Sequence, residues 1–201
     1  MGRHMTKAIV AEAKVELGVY ALDVACGTGE PAISIALLLN GTGLVFGVDI
    51  SPEPLKIAQQ RARERSLVNV RFQQADVHSL PFAGASFDRV TCRLGIMFFS
   101  DLARALGEIH RVLKPGGAAG FCSIEEEFRV LPWSWPGTPE EVWDYFQEVT
   151  VPFRPLLEAI PSEQRGKVNS EVLRAITPYY DGVQVNFTAT VCLASAHAGN
   201  S

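Results

Sequence analysis

Between residues 19 and 124, short apolar runs alternate with helix-patterned segments, and this alternation limits the fold more than any other feature. The runs VYALDV (19–24), LVFGV (44–48), VRFQQA (70–75), FDRVTC (87–92) and AAGFCSI (118–124) read as strands. They are apolar on both faces, as strands buried in a parallel sheet are, whereas a half-wet antiparallel sheet alternates. The expected fold class is α/β: a Rossmann-like, doubly wound, mostly parallel sheet with helices on either side.

The intervening segments carry helical spacing. TKAIVAEAKVEL (6–17) places Ile9, Val10, Ala13 and Leu17 on one side. PAISIALLLN opens with Pro31 at the first helical position, and Ser51 is the expected N-cap of a helix starting at Pro52 and running to about Arg65. From Leu102 to Leu113 one stripe contains Leu102, Ala105, Leu106, Ile109, Val112 and Leu113, and Lys114-Pro115-Gly116-Gly117 should stop it. The rhythm breaks after Ser123. Residues 125–180 hold PWSWPG, helix-like pieces and a capping box at Thr138-Pro139-Glu140-Glu141, so a helical insertion is expected there before the last strand. GVQVNFTATVCLASA (182–196) alternates like a strand returning to the sheet. The expected organisation is 1–5 as a cloning remnant and start, 6–124 as a ligand-binding core, 125–180 as a helical substrate cover, and 181–201 as terminal strand and tail.

The chain's 201 residues suit one domain, and 47% apolar with 20% charged residues is ordinary globular composition. A net charge of −4 gives no electrostatic reason to expect nucleic acid as a partner. The longest apolar run, Ala32 to Leu39, is far short of a membrane span and is interrupted by Ser34. No secretory leader is readable, and Cys26, Cys92, Cys122 and Cys192 form no C-x-x-C pair. Reduced thiols, no metal site and a cytoplasmic location are the expectations.

Gly27-Thr28-Gly29-Glu30-Pro31-Ala32 satisfies the permissive dinucleotide fingerprint, and Asp49 stands twenty residues past Gly29, where a ribose-binding acid would sit. Charge argues against a pyrophosphate. Asp23 precedes the turn and Glu30 sits at the helix entrance; two unit charges about 4 Å apart interact by roughly 4 kcal/mol at an effective dielectric near 20. The same carboxylates suit a ligand bringing an ammonium or sulfonium and no phosphate. Asp76, after the third strand, adds an acceptor for an adenine amino group.

LDVACGTGEPAISIA, VFGVDIS, QADVHSLPFAGASFDRV and EIHRVLKPGG resemble, in order, the successive motifs of class I S-adenosylmethionine-dependent methyltransferases, closest to the ubiquinone/menaquinone biosynthesis branch. The resemblance spans about residues 20–124. It implies S-adenosylmethionine as cofactor, S-adenosylhomocysteine as product, and methylation of a small-molecule acceptor on O, C or N. It places Asp23 and the backbone of Ala25, Cys26, Gly27, Thr28 and Gly29 around the methionine end. Asp49 would accept from the ribose hydroxyls, Ile50 would pack on adenine, and Ser51 would stand beside them. Asp76 would take the adenine amino group and Val77 would offer a backbone N–H. Cys92, Arg93 and Leu94 would line the wall beneath the sulfonium. Relatives usually carry further helices before the first strand, so a more open pocket or a shortened chain is implied here.

Several residues also have plainer readings. Asp23 could be tied to a backbone amide, Asp49 could serve only the following helix start, and Asp76 could cap the loop that follows it. His78 and Arg93 are the candidates for catalytic work; His78 more readily belongs to the loop edge, and Arg93 could orient an anionic substrate or pair with a carboxylate. His110 is expected in solvent. Trp133 and Trp135 could line a pocket or pack as a lid. An NAD(P)-dependent oxidoreductase and a non-catalytic cofactor-binding module remain as alternative functions.

Overall fold

The computed structural model describes residues 3–149 and 157–197. Two compact units divide the chain: Met5–Arg129 with Thr190–Ser201, and Val130–Ala189 with Met1–His4.

Helix α1 (Arg3–Glu12), which belongs to the larger unit from Met5 onward, precedes β1 (Tyr20–Val24), α2 (Ala32–Leu39), β2 (Leu44–Asp49), α3 (Pro52–Glu64), β3 (Val70–Gln74), β4 (Phe87–Arg93), α4 (Leu102–Val112) and the start of β5 (Leu113–Pro136). The sheet order is β3-β2-β1-β4-β5-β6, β6 being Gln184–His197, and the pairs from β3 through β5 are all parallel. The expected α/β fold is therefore present, and the carboxyl ends of β1, β2, β3 and β4 share one edge.

Both sheet faces are buried, as the strand composition requires. Leu22, Val24, Val48 and Val90 meet Ala105, Ile109 and Val112 of α4 on one face. Ala21 and Val45 meet Ile35, Ala36 and Leu39 of α2, with Ala62 of α3, on the other. Each fully buried aliphatic side chain contributes about 1.5–3 kcal/mol relative to exposure.

Several boundaries differ from the sequence reading. Helix α1 starts at Arg3 and ends at Glu12 instead of covering 6–17, because Lys14 turns left-handed (φ 52°) and Val15 N–H closes onto Val10 O at 3.1 Å. Pro31 is the N-cap of α2 rather than its first residue. Ser51 is the N-cap of α3, but its side chain makes no capping bond. In α4 the buried stripe is Ala105, Ile109 and Val112, while Leu102 and Leu106 are exposed. Leu113 already pairs with Phe87, so 114–117 form an irregularity inside β5 instead of a helix stop. That strand runs on to Pro136, past the expected break after Ser123.

The smaller unit contains α5 (Pro139–Val149) and α6 (Ser162–Ile176). The expected capping box is formed: Thr138 N–H donates to Glu141 Oε2 at 2.8 Å and Glu141 N–H to Thr138 Oγ1 at 3.3 Å. Trp135, Val142 and Val185 make its core, with Tyr145 and Phe146 against them. Trp135 is thus a core residue of this unit; the side chains of Trp133 and Cys192 lie outside the described residues.

Candidate cofactor site

The turn after β1 is built from left-handed residues. Ala25 (φ 54°), Gly27 (φ 51°) and Gly29 (φ 104°) alternate with Cys26 and Thr28. Cys26 N–H donates to Val48 O (2.9 Å), and Gly29 N–H to Cys26 O (2.9 Å), so the turn grows directly out of the β1–β2 pairing. A Cβ at Gly29 would lie 2.7 Å from Ile33 Cδ1 and 3.1 Å from Ala58 Cβ. A Cβ at Gly27 would stand in open space. One glycine therefore permits close helix packing, and the other leaves room at the strand edge.

Asp49, the last residue of β2, fastens this turn. Its Oδ2 accepts the Gly27 N–H at 2.8 Å and its Oδ1 accepts the Ser51 N–H at 2.9 Å. Each carboxylate oxygen keeps a further lone pair for a ligand hydroxyl. Ile50 beside it is 63% exposed, an uncovered apolar side chain where a ring could lie, and its carbonyl accepts from Gln74 Nε2 at 2.8 Å.

Asp23 is fully buried beneath the turn. Its Oδ2 accepts the Ala32 N–H that begins α2 at 3.0 Å, and its Oδ1 accepts the Thr91 hydroxyl at 2.8 Å. The plainer reading of a tie to a backbone amide therefore describes its contacts. Burial pushes this carboxyl up to about 7, against the lowering effect of those two bonds and of Arg93. Glu30 is held by Ser34 Oγ at 2.6 Å.

Asp76 lies two residues beyond the end of β3 and caps the 3-10 turn Val77–Ser79. It accepts from His78 N–H (2.9 Å) and meets His78 Nδ1 at 2.6 Å; these bonds hold its carboxyl below the usual range. The other imidazole nitrogen, Nε2, accepts Asp101 N–H at 3.2 Å. With both nitrogens occupied, His78 is not a free general base. Val77 is buried.

After β4, Leu94 is left-handed (φ 60°) and its N–H donates to Cys122 O at 2.6 Å. Arg93 donates from Nη1 to Thr6 Oγ1 of α1 at 2.9 Å, and its buried Nε has no hydrogen-bond partner among the described residues. Cys26 and Cys92 are buried, and burial followed by the charge of Asp23 pushes both thiols up, so neither is a nucleophile at neutral pH. Among the described residues no group of three or more His, Cys, Asp or Glu could hold a metal ion.

Residues missed in the sequence complete the site. Arg61 of α3 donates from Nη1 to both Thr28 O (3.2 Å) and Thr28 Oγ1 (2.9 Å). A Cβ at Gly95 would lie 2.5 Å from Ala25 Cβ and 2.9 Å from Cys92 Sγ, so the loop after β4 presses on the turn. A Cβ at Gly47 would meet the Phe72 ring at 2.6 Å and Cys26 Sγ at 3.0 Å. A glycine inside a strand signals such an approach; Arg61 has no comparable signal.

A family model described as a methyltransferase domain matches residues 22–121, which contain the turn and all the acidic strand-edge positions. The chain belongs to the class I S-adenosylmethionine-dependent methyltransferases. Demethylmenaquinone methyltransferase of Geobacillus stearothermophilus is 38% identical over 117 residues, which cover 57% of this chain and 50% of the relative. That of Lactiplantibacillus plantarum is 35% identical over 153 residues, covering 75% and 61%. The chain thus spans about half to three-fifths of these relatives. The YcgJ protein of Bacillus subtilis has the same fold, with a TM-score of 0.63 over 98% of this chain and 99% of its own at 21% identity. A SAM-dependent methyltransferase of Aquifex aeolicus superposes with a TM-score of 0.57 over 70% and 74% at 22% identity.

S-adenosylmethionine is the cofactor of this family, and the nicotinamide reading gives way to it. The residues present fit it. Gly27 leaves free the space that a Cβ would fill, Asp49 stands beside that space with acceptor capacity, and the Arg61 guanidinium at the turn is engaged by Thr28 O and Oγ1.

Proposed function

We propose that the chain is a methyltransferase for a small-molecule acceptor of the quinol or phenol kind. The observation that carries this reading is the left-handed turn at Gly27, open at the strand edge and fastened by Asp49. When bound, the cofactor supplies an electrophilic methyl on a neutral leaving group. Asp49 would hold the ribose hydroxyls, Ile50 and Val77 would flank adenine, and Asp76 would take its amino group. The backbone of Ala25 to Gly29, over buried Asp23, would surround the methionine end, and Cys92, Arg93 and Leu94 would border the methyl.

The chain's own contribution to the reaction is then orientation: an acceptor aligned with the bond to be broken needs little further help. His78 is committed at both nitrogens and the two thiols stay protonated. An acceptor whose hydroxyl or ring carbon gives up its proton readily suits such surroundings. Relatives named for demethylmenaquinone support a quinone-type acceptor.

Acceptor choice is assigned to residues 125–180. Within the smaller unit, a cleft of ≈ 330 Å³ is lined by Trp143, Leu157, Ile160 and Val168, with Arg165 and Asn169 as polar groups.

The test is methyl transfer followed by mass spectrometry, with a demethylated naphthoquinol, a simple phenol and an amine as acceptors. A methylated quinol or phenol is expected. Product from the amine alone, or from no acceptor while S-adenosylmethionine binds, would reject the reading; the latter result would favour a non-catalytic binding module.

A further inference from the structure

Asp76 and His78 form a coupled pair whose geometry is asymmetric. Both bonds from His78, the backbone N–H at 2.9 Å and the ring Nδ1 at 2.6 Å, fall on the same oxygen, Oδ1. Among the described residues no donor meets Oδ2. The ring is itself fixed: Asp101 N–H donates to Nε2 at 3.2 Å, so the imidazole proton sits on Nδ1 and is donated to Asp76. Arg104 Nε donates to the His78 carbonyl at 2.8 Å, and Phe99 meets the imidazole edge-on at 6.2 Å between centroids. The His78 side chain is 16% exposed, whereas that of Asp76 is 50% exposed.

We propose that His78 is a positioning residue for purine selectivity: by anchoring Oδ1 of Asp76, it presents Oδ2 as an acceptor for the exocyclic amino group of a 6-aminopurine. The inference rests on the adenine placement proposed above and adds to it the residue that orients the acceptor. A free aspartate rotates its carboxylate and spreads its acceptor directions, but two donors on one oxygen fix the plane. An ionised carboxylate only accepts, so it favours an amino group and opposes the 6-oxo group of hypoxanthine. The structural logic is that of an outer hydrogen bond fixing the direction of an inner ligand, with α4 supplying the rigid support through Asp101.

Titration calorimetry with S-adenosylhomocysteine and S-inosylhomocysteine tests this on the wild type and on Asp76→Ala, His78→Ala, His78→Asn and His78→Gln. Asparagine places a donating amide nitrogen where Nδ1 stands; glutamine can place its accepting amide oxygen where Nε2 stands, towards Asp101 N–H. His78→Ala and His78→Gln should lose about tenfold of the adenosyl preference, the size expected for one charge-assisted hydrogen bond, while His78→Asn retains most of it. A role confined to bracing the loop against Asp101 would reverse the order of the last two. The inference is overturned if His78→Gln discriminates as well as or better than His78→Asn. It is also overturned if His78→Ala keeps wild-type selectivity while Asp76→Ala loses it. Unchanged selectivity in Asp76→Ala would overturn the adenine placement, and this inference with it.

Discussion

Replacing Asp23 by asparagine should stabilise the fold at neutral and alkaline pH. Asp23 is 0% exposed, and burial lifts its carboxyl from 3.8 to about 7. Between about pH 4 and 7 the folded chain therefore holds a proton that the unfolded chain has released, and stability falls as pH rises through that window. At 1.36 kcal/mol per pH unit, the ionised form costs the fold about 4 kcal/mol above pH 7, an upper limit for the gain. Asparagine can keep both native bonds: its carbonyl accepts from Ala32 N–H, and its amide donates to a Thr91 hydroxyl that has turned round. Urea denaturation of wild type and Asp23→Asn at pH 4, 6 and 8 reads the effect directly. The expected gain is largest at pH 8 and shrinks towards zero near pH 4. A variant less stable than the wild type at pH 8, or a gain independent of pH, would refute the reasoning.

Three further outcomes follow from the contacts. Asp49→Ala removes the acceptor for Gly27 and Ser51 N–H and the proposed ribose partner, so affinity for S-adenosylhomocysteine should fall by about 1–3 kcal/mol, read by calorimetry. Gly95→Ala pushes a methyl to within 2.5 Å of Ala25 Cβ, and should cost about 1–3 kcal/mol of stability in denaturant titration while also weakening cofactor binding. Glu108, held down to about 2 by the Arg111 guanidinium first and also by Leu80 N–H, contributes stability above 4.5 that is lost as pH falls towards 2. Glu108→Gln should remove that component and flatten the acid limb of a stability–pH curve.

The sheet was legible because strands buried on both faces leave continuous apolar runs separated by helix-patterned segments. The continuation of β5 to Pro136 was not. The proline-flanked PWSWPG (132–137) read as a break, although Phe128/Val130 and Trp133/Trp135 keep a period of two. In α4, six apolar residues cover more than one face, and only tertiary contact selects Ala105, Ile109 and Val112 over Leu102 and Leu106. At the site, the spacing from Gly29 to Asp49 was readable, since the β2 turn follows from local pattern. Whether Asp23 faces a ligand or an internal partner depends on Thr91, 68 residues away, and the grip of Arg61 on Thr28 crosses 33 residues. Such pairings leave no mark in local sequence.

The most direct test of the central claim is calorimetry of the wild-type chain with S-adenosylhomocysteine and with NADH, each repeated on Asp49→Ala. A turn fastened by Asp49 and open at Gly27 should bind the adenosyl ligand at one site per chain, weaken on loss of Asp49, and give no heat with NADH. Binding of NADH in the absence of S-adenosylhomocysteine binding would contradict the account.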